Sequence, residues 1–245
     1  MMIMHELKIC GLQKTTLLDF PGRVAATVFT GGCNFRCPFC QNSEILGAQV
    51  PPGYPQAEVL AFLKKRSGVL EGVCITGGEP TLQPEALEAF LREVRSLGLL
   101  VKLDTNGGRP EVVKRLAGLG LLDYIAMDVK AGPERYALAC GAAAGPGTDE
   151  RFLAPIRESI AWLTSCGIPY EFRTTAVKGL HTAEDFAAIG PWIAGCPHYY
   201  IQNYAASDRV LAPEGFQEFT KDELLAFADL VRPYVEEVSL RGVDY

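Results

Sequence analysis

The sequence predicts an α/β chain built on a mostly parallel sheet: a complete or partial (β/α) barrel, or a doubly wound sheet. Three observations carry this. Short runs rich in β-branched residues recur, and helical patterns fill most of the gaps between them, an alternation that yields parallel strands with right-handed crossovers. Several of these runs are apolar throughout, as strands covered on both faces are. The unusual polar residues fall at the carboxyl ends of the runs, where such folds bind ligands.

Taken in order, strands are expected over residues 24–30, 73–76, 99–104, 124–128, 170–176, 199–202 and 235–240. The clearest helix runs over 84–97, with Leu87, Phe90, Leu91 and Val94 on one face and charged residues opposite. Pro84 suits its first turn and Gly98 its exit. Thr220 followed by Glu223 reads as a capping box that opens a helix with Leu224, Phe227, Ala228 and Val231 inward. Thr182 and Asp185 form a weaker signal of the same kind. The Ala- and Gly-rich stretch 139–148 reads as a flexible loop, and the proline-rich stretch 48–55 as another. Periodicity does not separate a barrel from a doubly wound sheet.

Composition narrows the class. The chain has 245 residues, 48% of them hydrophobic and 21% charged, as in a globular protein with ample core. The net charge is −6 and no basic run occurs, which speaks against a nucleic-acid partner. No stretch of about 18 apolar residues occurs, so no membrane span is expected. The first five residues lack the basic and apolar regions of a secretion signal, and the expected compartment is the cytoplasm. In that reducing setting the eight cysteines are not expected to form disulfides, and a close cluster among them points to metal or redox chemistry.

Three of them, Cys33, Cys37 and Cys40, lie within eight residues directly after the first predicted strand. They can surround one metal centre from a loop that Gly31 and Gly32 allow to fold tightly and Pro38 restrains. Structural zinc wants four ligands in a closed tetrahedron, so a zinc knuckle would need a distant Cys or His. A cubane iron–sulfur cluster on three thiolates keeps one iron open for a substrate. The second motif, Thr76-Gly77-Gly78-Glu79-Pro80, ends the next strand. Its glycines let backbone approach a ligand closely, and Glu79 offers a carboxylate to a cationic amine. Alone it could be a simple turn; one β/α unit after the cysteine triad it favours the iron–sulfur reading.

With these motifs in place the chain resembles the radical S-adenosylmethionine (SAM) superfamily, and within it the glycyl-radical-enzyme activating enzymes, most of all the activating proteins of anaerobic ribonucleoside-triphosphate reductase. The likeness runs from about Gly11 to about Tyr204, and is strongest in GLQKTTLLDFPG at 11–22, the cysteine loop, 76–80, KLDTNG at 102–107 and MDVK at 127–130. It implies a partial (β/α)6 barrel, open on one side, in a single domain over 1–245. The core would span about 20–205, with a C-terminal helix and strand over about 220–241. It implies Cys33, Cys37 and Cys40 as ligands of one 4Fe–4S cluster, with Phe39 near the SAM adenine. Gly77, Gly78 and Glu79 would receive the methionine amino group, Lys130 would reach the SAM carboxylate, and Asn203 would lie near the ribose. Asp104, Thr105, Met127 and Asp128 match a set that in related activases holds a monovalent cation. Asp19 lies in a loop that in such activases approaches the glycine-bearing segment of the partner. The implied partners are a glycyl radical enzyme as protein substrate and a flavodoxin- or ferredoxin-type electron donor.

Several residues stay apart from that pattern. Many relatives carry His after the third cysteine; here it is Gln41, which leaves the ligands intact but bears on hydrogen bonding around the cluster. Arg173 sits inside a predicted strand, to face SAM or to pair with Glu171 or another acid at the strand ends. Gln202 ends the next strand. Cys10, Cys74, Cys140, Cys166 and Cys196 show no second ligand spacing, and His5, His181 and His198 are isolated. The rival readings are a radical SAM enzyme acting on a small molecule or nucleoside, such as a carboxy-deazaguanine synthase, and a non-catalytic zinc-binding interaction module.

Overall fold

The computed structural model describes residues 6–142 and 148–243. Eight strands form one sheet whose strand order is the chain order. They are β1 (Ile9–Thr16), β2 (Ala25–Thr30), β3 (Gly72–Gly77), β4 (Leu100–Thr105), β5 (Tyr124–Asp128), β6 (Tyr170–Ala176), β7 (His198–Asn203) and β8 (Glu237–Arg241). Helices α1 (Gln56–Arg66), α2 (Pro84–Ser96), α3 (Pro110–Gly118), α4 (Tyr136–Ala139), α5 (Thr148–Leu163), α6 (Ala183–Trp192) and α7 (Lys221–Val231) separate β2 from β3 and every later pair. Six β/α steps from β2 to β7 thus give the expected α/β fold of the partial (β/α)6 type. Among the described residues no helix is long and apolar enough to cross a membrane.

The chain divides into two compact units. The first comprises the residues up to Asn34, Glu44–Thr105 and Arg109–Ile125; the second comprises Phe35–Ser43, Asn106–Gly108 and the chain from Ala126 onward.

In the first unit β1 runs antiparallel to β2, while β2, β3 and β4 are parallel. Val28, Val73, Ile75, Val101 and Leu103 are fully buried. Leu87, Phe90, Leu91 and Val94 of α2 are fully buried too, each contributing on the order of 1.5–3 kcal/mol of apolar transfer. Pro84 occupies the first turn of α2, where no intrahelical N–H bond is lost. Strand β1 is the one strand that sequence patterning does not reveal. Ile9 and Thr16 at its ends are buried, but Gln13, Lys14 and Thr15 are exposed and the pairing with β2 is irregular at two places. An edge strand of that kind has no clean two-residue alternation to read.

In the second unit β6, β7 and β8 are parallel, with Ala176 level with Asn203 and Gln202 level with Arg241. Both expected capping boxes are present, Thr182 with Asp185 at α6 and Thr220 with Glu223 at α7. The two helices meet through Phe186 stacked on Phe227, ring centres 4.4 Å apart. The 48–55 loop is as expected, tied to β1 by the Gly53 and Tyr54 N–H groups donating to the Ile9 carbonyl. Of the predicted 139–148 loop, Ala139 closes α4 and Thr148 opens α5, while 143–147 lie outside the described residues, as do residues 1–5.

Candidate active site

In the first unit the β2–β3 register sets Thr30 level with Gly77, so the cysteine loop and the Gly-Gly-Glu-Pro turn leave adjacent strands at the same height. Backbone bonds then join them. Gly78 N–H donates to the Thr30 carbonyl at 2.9 Å, and Glu79 N–H to the Gly32 carbonyl at 2.8 Å. Neither glycine can be replaced cheaply. A Cβ at Gly77, where φ is +115°, would sit 2.4 Å from Thr30 N, and one at Gly78 would sit 2.1 Å from the Gly32 oxygen. The other side of the loop is held by Gly32 and Cys33 N–H groups donating to Ile45 and Leu46 carbonyls.

Glu79 is completely buried and caps a short helical turn over Pro80–Leu82. Its Oε1 accepts from the Thr81 N–H at 3.1 Å, the Thr81 hydroxyl at 2.5 Å and the Thr105 hydroxyl at 2.9 Å. The turn reading of this motif is therefore correct as geometry, and it serves to fix a buried carboxylate. Asp104, at the carboxyl end of β4, accepts from the Lys102 ammonium. Lys102 is only 1% exposed, and its Nζ also lies 3.9 Å from Cys74 Sγ and 6.0 Å from the Tyr124 ring centre. Sequence reasoning assigned Lys102 no role, although a lysine inside a predicted strand, two residues from an aspartate on the same face, is a readable signal. Asp19 sits in the turn after β1. Thr16 Oγ1 accepts from the Leu18 and Asp19 N–H groups, and Asp19 in turn accepts from the Thr27 hydroxyl. Leu17 and Leu18 beside it are exposed.

In the second unit Cys37 is buried and Cys40 half-buried, joined by the Cys40 N–H donating to the Cys37 carbonyl at 3.0 Å. A hydrogen bond from Cys140 pulls the Cys37 thiol below its ordinary range, and the positive charge of Lys130 adds to this, together outweighing burial. Burial pushes Cys40 up. Cys140 also binds the loop through backbone: its carbonyl accepts from Arg36 N–H at 2.9 Å, and a Cβ on Gly141 would meet the Arg36 oxygen at 2.0 Å. Cys140 was not singled out beforehand, since no sequence spacing links it to Cys37. Pro38 and Cys40 carbonyls accept from Ala212 and Leu211 N–H groups, and Gln41 donates to the Ala205 carbonyl at 2.9 Å.

Phe39 is buried with its ring edge-on to His181, centres 6.0 Å apart, and Lys130 Nζ lies 6.0 Å from the same ring. His181 accepts from Val177 N–H on Nδ1 at 3.0 Å, so its Nε2–H donates to the Lys130 carbonyl at 2.7 Å; burial keeps the ring neutral by lowering its proton affinity. Asp128, at the end of β5, uses both oxygens: Oδ2 accepts from Lys130 at 2.8 Å and Oδ1 from Arg173 at 2.9 Å. Burial would raise this carboxyl, but Arg173 and Lys130 outweigh it and hold it well below the usual carboxylate range. Burial likewise works against Lys130, and Asp128 more than offsets it, so the ammonium stays protonated. Arg173 therefore pairs chiefly with Asp128, and more loosely with Glu171 at 4.0 Å. Asn203 is committed to Phe219, donating to its carbonyl and accepting from its N–H. Gln202, its neighbour, is exposed.

In the second unit the donors suit a thiolate-bound cluster: Cys37 is drawn towards thiolate, and the buried Tyr204 hydroxyl after β7 has no protein partner. An unpartnered buried hydroxyl costs about 1–3 kcal/mol, which a ligand can recover.

Residues 27–189 match the model of the Radical SAM superfamily. A protein of Methanocaldococcus jannaschii, named as a glycyl-radical enzyme activating enzyme, is 28% identical over 244 residues, covering 96% of each chain. The 7-carboxy-7-deazaguanine synthase of Thermococcus kodakarensis is 30% identical over 128 residues, covering 44% of this chain and 50% of its own. Among solved structures, Streptococcus suis SuiB bound to S-adenosylmethionine superposes with a TM-score of 0.65 at 14% identity. The overlap takes in 86% of this chain and 48% of SuiB, so this chain spans about half the length of that protein. The chain belongs to the radical SAM superfamily, enzymes that bind a 4Fe–4S cluster and S-adenosylmethionine.

Proposed function

We propose that this radical SAM enzyme is an activase that reductively cleaves SAM and generates a glycyl radical on a partner enzyme, anaerobic ribonucleoside-triphosphate reductase. The observation that carries the reading is the match to the M. jannaschii activating enzyme along 96% of both chains, against 44% of this chain for the deazaguanine synthase. When bound, the cluster and SAM supply the reducing electron and the source of the 5′-deoxyadenosyl radical that takes a hydrogen from a glycine Cα.

The chain's own residues then have definable tasks. Cys33, Cys37 and Cys40 hold the cluster, and the Cys140 hydrogen bond keeps Cys37 in its ligating form. Glu79, oriented by three donors, and the Gly77–Gly78 backbone receive the methionine ammonium. Lys130, kept charged by Asp128, faces the SAM carboxylate. Thr105 orients Glu79, and Met127 is a buried wall beside Gly107. Phe39, flanked by neutral His181, offers an apolar face to the adenine. Asn203 supports the ribose side by pinning Phe219, and Asp19 in its ordered turn meets the partner's glycine segment. The electron comes from a flavodoxin or ferredoxin.

The test is an anaerobic EPR spectrum of reconstituted, reduced protein with SAM and the reductase of the same source. A glycyl-radical doublet on the reductase, lost with Cys37→Ala, is the expected result. SAM cleavage without a doublet would overturn the reductase as partner. Formation of 7-carboxy-7-deazaguanine by the same preparation would favour the second reading, which the match to the deazaguanine synthase supports.

A further inference from the structure

The residues that resemble a monovalent-cation set do not suit another cation, because each carboxylate in it already has one from the protein. In the first unit Asp104 accepts from the Lys102 ammonium, which is 1% exposed and lies two residues earlier on the same face of β4. In the second unit both Asp128 oxygens are used, one by Arg173 and one by Lys130. Thr105 donates its hydroxyl proton to Glu79. Two carboxylates thus meet three fixed positive charges. A sodium or potassium ion joining either pair would share a carboxylate oxygen set with a like charge at close range.

We propose that this enzyme binds SAM without a monovalent cation, and that the Lys102 ammonium is the tethered substitute for that ion at Asp104. The inference rests on the reading that SAM binds at these strand ends. Lys102 is a positioning residue: it neutralises Asp104 and fixes its carboxylate, and it reaches SAM only through Asp104. A tethered ammonium also explains why a strand should carry a lysine in its core. A buried ammonium is costly unless paired, and here the partner is a residue at the ligand end of the same strand. A bound ion is lost to dilution, whereas a side chain is not.

The test is calorimetric titration of SAM into reconstituted wild-type protein in potassium, sodium or choline chloride at equal ionic strength. The expected affinity varies less than about twofold across the three salts, since no ion is part of the site. Lys102→Met is expected to weaken SAM binding about tenfold or more in choline, through the loss of the ammonium at Asp104, and to recover most of it on adding potassium or sodium. Two results would overturn the proposal: a wild-type enzyme that loses SAM in choline and regains it with potassium, or a Lys102→Met enzyme that binds SAM in choline as the wild type does. The first of these needs no variant, so misfolding of Lys102→Met leaves the proposal open to refutation. Absence of SAM binding in every salt would instead bring down the SAM-site reading, and this proposal with it.

Discussion

Two lysine–aspartate pairs, Lys102–Asp104 and Asp128–Lys130, are built at the same spacing and solved differently. In the first the lysine precedes the aspartate inside β4, and its side chain is 1% exposed. In the second the lysine follows the aspartate beyond the end of β5, is 15% exposed, and shares Asp128 with Arg173 from β6. A charge in mid-strand must be neutralised where the pleat puts it, by the i+2 residue on the same face. A charge past the strand end can recruit a partner from the neighbouring strand. In the second pair Asp128 therefore keeps one cation when the other is lost.

The strongest way to break this contrast is to remove each lysine. Lys102→Met takes the ammonium from Asp104 inside the sheet and is expected to cost about 3–5 kcal/mol, read by urea unfolding of the reduced apoprotein. Lys130→Met is expected to cost less, about 1–2 kcal/mol, because Arg173 stays on Asp128. Equal losses would refute the distinction. Arg173→Met should be milder still, about 1 kcal/mol by the same measurement, since Lys130 remains on Asp128.

The smallest effect concerns the neutral histidine beneath Lys130. His181 has a proton affinity lowered by burial, so below about pH 6.5 the unfolded chain takes up a proton that the folded chain refuses. That contribution to stability is complete above the ordinary histidine range and declines as pH falls through it. The unfolding midpoint should drop between about pH 7.5 and about pH 5.5, with a shallower drop in His181→Gln. An unchanged slope in the variant would mean that His181 is not the group responsible.

Much of the frame was legible before any coordinates. The expected strands at 124–128 and 170–176 are β5 and β6 to the residue, and the other five shift by one or two positions at their ends. Helix α2 and both capping boxes were readable because periodicity and capping are local. Strand β1 was not, since its edge position leaves an irregular burial pattern. The cysteine triad and Gly-Gly-Glu-Pro were legible as motifs, but their mutual backbone bonds were not, because these depend on the β2–β3 register.

The sequence by itself determined what is local: alternating strands and helices, the caps, three closely spaced thiols, and two glycines with no Cβ to obstruct an approach. Only the tertiary structure decided the partners. Cys140 comes to Cys37 across about a hundred residues, Arg173 to Asp128 across β5 and β6, and His181 to the Lys130 carbonyl. Charge compensation and hydrogen bonding act over a few ångströms in space, and the chain separation of the groups carries no information about that distance.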